Sequence, residues 1–137
     1  MANALEVPSR NIIFTSGASE ANNQALIGYA LANKDKGNHI ITTAIEHPSV
    51  LNTVQYLHDR YGFDVSFVKP KADGTFPASL IEENLSPDTI LVSMMWANNE
   101  TGQLLPVKEV GELLKQHQAV FHVQKVEKLD VLRGYEE

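Results

Sequence analysis

Three short stretches hold residue types that can do chemistry. The first is Ser16-Gly17-Ala18-Ser19, inside FTSGASE. Small residues at a strand-to-helix turn let backbone N–H groups approach an anion closely, the helix N-terminus favours negative charge, and Ser19 offers a hydroxyl. Phosphate suits such a turn. The same residues could simply cap the helix, with Glu20 in its first turn. No Lys-Ser or Lys-Thr pair closes the turn, so it is not a Walker-type phosphate loop. The second stretch is Glu46-His47-Pro48-Ser49. A histidine here can stack on a flat ring, exchange a proton or cap the following helix. The third is Trp96-Ala97-Asn98-Asn99-Glu100-Thr101-Gly102. Adjacent asparagines can orient a ligand oxygen through their amides, or shape a turn through left-handed backbone.

Apolar periodicity supplies the elements that must position these stretches. Strands are expected at 11–15, 39–43, 64–68, 89–95 and 119–123, with 89–95 apolar enough to be buried on both faces. Helices are expected from Glu20 to Asn33, with Ala21, Ala25, Leu26, Tyr29 and Ala30 at helical spacing, and from Pro48 to Tyr61, with Val50, Leu51, Val54 and Leu57 on one face. Two more are expected from Pro77 to Leu85 and from Pro106 to His117. Gly62 stops the second helix, Gly37 is available for a positive φ, and Asp73-Gly74 makes a turn. Strict alternation of strand and helix predicts an α/β fold, a three-layer sandwich with a mostly parallel sheet. All three stretches then fall at the carboxyl edge of that sheet, where ligands of such folds bind.

Composition excludes several function classes. The 137 residues carry a net charge of −6 and a pI near 5.3, which argues against nucleic-acid or anionic-membrane binding. Lys34, Lys36, Lys69 and Lys71 are too sparse to form a basic patch. There is no cysteine, so disulfides, thiolate metal sites and cysteine nucleophiles are excluded within the chain. No apolar run approaches the roughly 18 residues of a membrane span. MANALEVPSR lacks the pattern of a secretory signal, making the cytoplasm the expected location. The triplets Asn84-Leu85-Ser86 and Asn99-Glu100-Thr101 are then coincidental matches to a glycosylation pattern.

Taken in order, FTSGASE, IEHPSV, ANNETG and FHV resemble the cysteine desulfurases, which are class V, fold type I pyridoxal-phosphate enzymes. The resemblance runs over nearly all of residues 10–123. It implies a partial cofactor-binding large domain over 1–123, followed by a divergent tail over 124–137. It implies that Ala18 and Ser19 bind the cofactor phosphate, that His47 stacks on the pyridine ring and that Asn99 bonds near its phenolic oxygen. It implies L-cysteine as substrate, alanine as product, and sulfur passed as persulfide to acceptor proteins for iron–sulfur cluster assembly. Selenocysteine lyase and kynureninase-like enzymes are neighbouring class V alternatives.

The chain also departs from that pattern. The family's strand motif continues H-V-D-A-x-Q, its Asp pairing with the pyridinium nitrogen. Here His122-Val123 is followed by Gln124, with Glu127 at the Gln position. A gapped reading instead places a deletion between Val123 and Lys128-Leu129-Asp130-Val131. Lys125 and Lys128 lack the sequence around the family's Schiff-base lysine, and the sulfur-accepting cysteine is absent. A non-catalytic scaffold acting as a binding or assembly module is the competing expectation. In the family fold, strand 11–15 pairs with a strand that lies beyond this chain. Its exposed edge predicts a homo-oligomer formed by strand pairing or swapping.

Overall fold

The computed structural model describes residues 6–98 and 102–124. After a 3-10 turn at Ser9–Asn11 come α1 (Ala18–Ala32), β1 (His39–Thr43), α2 (Pro48–Tyr61), β2 (Asp64–Val68), α3 (Ser79–Glu82), β3 (Thr89–Met95), α4 (Val107–Leu114) and β4 (Val120–Gln124). The sheet order is β2-β1-β3-β4, and every pairing is parallel. The four strands are therefore mutual neighbours.

Alternation along β1 sets up the layers. Ile40 joins Leu26 and Ala30 of α1, Val50, Val54 and Leu57 of α2, and Phe63 in one core. Ile41 faces the other way, into a core with Phe76, Ile81 of α3, Val92, Met94, and Val110 and Leu114 of α4. Helices thus cover both faces of the sheet. Burying a residue such as Leu57 completely stabilises the fold by about 1.5–3 kcal/mol. The chain leaves β1 for β2 on one side and reaches β3 on the other, so right-handed crossovers put α2 and α4 on opposite faces. The connections after β1 and β3 thus lead to opposite faces, and in folds of this kind ligands bind where the strand order reverses.

α2 keeps the boundaries read from the sequence. Pro48 occupies its first turn, and Gly62 ends it in the left-handed conformation at φ 75°. Several expectations need correction. Residues 12–15 form no strand. Ile12 is extended, but the segment pairs with no strand among the described residues, and Ile13 and Phe14 stay 69% and 79% exposed. The helices expected over 77–85 and 106–117 shorten to α3 and α4. Along α1 the buried line is Asn22, Leu26 and Ala30, whereas Ala25 is exposed. Gly37 is extended rather than left-handed. A Cβ there would lie 2.2 Å from the Asp88 carbonyl oxygen, so close approach to the β3 lead-in requires glycine.

Candidate functional site

The turn after Phe14 opens the site. Gly17 is the N-cap of α1 and no side chain caps the helix, so Ser19 does not serve as the cap. Among the described residues, the amide N–H groups of the first turn have no side-chain acceptor, as at an uncapped helix start. Glu20 turns back instead, its carboxylate accepting from Ser16 N at 2.8 Å and from the Ser16 hydroxyl. Those bonds, the hydroxyl first, lower the Glu20 pKa. Ala18 and Ser19 thus lie in a first turn that no serine side chain caps, which leaves it the geometry an anion can use.

His47 is the N-cap of α2. Its Nδ1 accepts from Ser49 N at 3.1 Å and lies 3.0 Å from Ser49 Oγ. A further bond links this turn to α1: the Asn22 amide donates to Ser49 Oγ at 3.2 Å. One turn on, Thr53 Oγ1 donates to Asn23 Oδ1 at 2.5 Å. Between the two helices lies an open cleft of about 430 Å³, lined by Ser19, Asn23, Ser49, Asn52, Thr53 and Tyr56 among others. The first turn of α1 and the histidine turn are therefore held side by side.

Glu46 bridges the carboxyl ends of β1 and β3. It is 5% exposed, and its Oε1 accepts from Met95 N at 2.7 Å. The Asn98 amide makes a second tie, donating to Ile45 O at 3.2 Å. Burial pushes the Glu46 carboxyl up to about 8, against the opposing pull of the Met95 N–H and the Thr43 hydroxyl. Among the described residues Glu46 Oε2 and Thr43 Oγ1 are both buried with no hydrogen-bond partner, although the hydroxyl lies near enough the carboxyl to act on its pKa. A proton on Oε2 would let one orphan donate to the other. Residue types alone did not disclose this role. The one signal was an acid directly after a buried strand and directly before His47.

Gln124 ends β4 opposite Met95, and its Oε1 is buried without a partner among the described residues. Asn99 and Glu127 lie outside the described residues, as do Lys125 and Lys128. No hydrogen bond among the described residues joins the Gln124 side chain to the Ser19–His47 group. On β4, His122 Nδ1 lies 2.8 Å from Ser93 Oγ, and burial lowers the His122 pKa.

The family model for class-V aminotransferases matches residues 1–130. The chain belongs to that family. A relative from Bacillus subtilis, "Putative cysteine desulfurase IscS 1", is 48% identical over 123 residues, covering 90% of this chain and 32% of its own length. Among solved structures, SspA in complex with cysteine superposes with a TM-score of 0.82 at 39% identity, over 89% of this chain and 35% of that one. C-DES with glycine covalently linked to its PLP cofactor gives 0.72 at 26% identity, over 91% and 32%. The chain thus spans about a third of the length of these relatives. The fold is that of part of the large domain of fold type I pyridoxal-phosphate enzymes, and the resemblance to cysteine desulfurases holds over the span matched.

The class-V cofactor is pyridoxal phosphate, and the residues present fit it. The uncapped first turn of α1 suits the phosphate, His47 lies beside that turn, and the orphaned Gln124 Oε1 is an acceptor suited to a ring N–H.

Proposed function

We propose that this chain supplies the phosphate- and ring-holding part of a pyridoxal-phosphate-dependent cysteine desulfurase. The observation carrying the reading is the uncapped turn at Ala18 and Ser19, tied to the His47 turn through Asn22 and Ser49. Ala18 and Ser19 hold the phosphate, His47 stacks on the ring and Asn99 bonds near its phenolic oxygen. Gln124 accepts from the ring nitrogen, which gives a hydrogen bond but no charge. When bound, the cofactor supplies the electron sink. In the longer protein, L-cysteine and an acceptor thiol give L-alanine and the acceptor persulfide, for iron–sulfur cluster assembly. A lysine and a sulfur-accepting cysteine outside these 137 residues complete the site. A cytoplasmic homo-oligomer is the expected working form.

A second reading rests on Gln124, which stands where the family pattern has an Asp. Without a carboxylate at the ring nitrogen the electron sink is weak, and the domain then works as a cofactor-binding or assembly module. Alanine release from L-cysteine by the full-length gene product separates the two. The desulfurase reading expects alanine in amounts equal to transferred sulfur, and loss of both with His47→Ala. A cofactor-loaded protein that forms no alanine contradicts it.

A further inference from the structure

The hydrogen bonds around His47 fix more than its position. A backbone N–H can only donate, so the bond from Ser49 N requires a lone pair on His47 Nδ1. The ring proton of the neutral imidazole then sits on Nε2. Ser49 Oγ lies 3.0 Å from the same Nδ1 and 3.2 Å from the Asn22 amide nitrogen. Having accepted from Asn22, the Ser49 hydroxyl is directed to give its single proton to Nδ1. Asn22 is only 4% exposed and projects from the buried line of α1, so its amide has little freedom to turn away.

We infer that Asn22 and Ser49 are positioning residues that hold His47 in its Nε2–H tautomer and join that choice to the anion-binding helix. Nδ1 is committed to the cap of α2. The ring edge free to meet a ligand is Nε2–H, a donor. Asn22 lies one turn beyond the first turn of α1, so a ligand that shifts α1 shifts the group orienting the imidazole. The inference depends on the role proposed for His47 only in its consequence for catalysis, because the tautomer is a property of the chain alone.

Long-range proton–nitrogen correlation spectra of the nitrogen-15-labelled chain at mildly alkaline pH read the tautomer directly. His47→Gln assigns the signals. The wild type is expected to show Nε2 protonated and Nδ1 not. Ser49→Ala keeps the backbone N–H but loses the hydroxyl, and should raise the Nδ1–H to Nε2–H ratio about fivefold, the worth of one ordinary hydrogen bond. Ser49→Thr should restore the wild-type ratio. Asn22→Ala should move the ratio in the same direction, by less. A protonated Nδ1 in the wild type overturns the inference. So does an unchanged ratio in whichever of Ser49→Ala and Asn22→Ala keeps a dispersed amide spectrum. A wild type without cofactor affinity but with the expected tautomer would sink the functional reading and leave the relay standing.

Discussion

Glu46 couples the site to pH. Its carboxyl titrates near 8 in the folded chain and near 4.5 in the unfolded one, so between those values only the folded state holds the proton. Stability is fully present below about pH 4.5 and falls as pH rises, by at most about 1.4 kcal/mol per pH unit, until the folded carboxyl ionises. Glu46→Gln should flatten that slope, as chemical denaturation across pH 5–8 would show; an equally steep fall in the variant would discount it. His39 works in the opposite direction. Its ring nitrogens meet Thr89 Oγ1 at 2.6 Å and Ser66 Oγ at 2.8 Å, and burial lowers its pKa although Asp64 and Asp88 pull it up. Its contribution is present above pH 6.5 and lost as pH falls through the lowered value. His39→Gln should therefore reduce the acid sensitivity of the chain below pH 6.5. Ser19 and His47 could be singled out from residue type and neighbours. Glu46 could not, because its burial depends on Met95, 49 positions away.

Glycines show how elements were read well or badly. Gly62 lies in left-handed backbone at the end of α2, and Gly62→Ala should cost about 1 kcal/mol in equilibrium unfolding. Gly37→Ala should cost more, since its Cβ would sit 2.2 Å from a backbone oxygen, whereas a Cβ at Gly17 meets nothing within 4 Å. Gly17→Ala should accordingly leave the melting temperature unchanged within error; a large fall would mean that the turn is tighter than described. The stop at Gly62 was legible, because a helix pattern broke there; its left-handed backbone was not. The crowding at Gly37 was not, since Asp88 is remote in sequence. Strand periodicity at 11–15 also misled. Apolar alternation marks a segment able to pair, but a strand exists only where a partner is present.

For the whole molecule, strand–helix alternation was enough to predict a parallel sheet covered on both faces. The strand order was not legible, and it is the order that sets the carboxyl ends of β1 and β3 side by side. Exposed Ile13 and Phe14 lie on a segment that pairs with no strand among the described residues, which supports the proposal of self-association. Ile13→Thr combined with Phe14→Ser should shift the light-scattering mass toward the monomer. A wild type already monomeric at the highest soluble concentration would end that proposal. The central claim is that the first turn of α1 binds the phosphate of a pyridoxal-type ligand beside His47. Its most direct test is an amide-resonance titration with pyridoxine 5′-phosphate, which has no aldehyde to react with lysines, against unphosphorylated pyridoxine. The account predicts that Ala18, Ser19, Glu20 and His47 respond to the phosphorylated ligand alone, with affinity about tenfold weaker in Ser19→Ala. Resonances that stay still, or that move equally with pyridoxine, would contradict it.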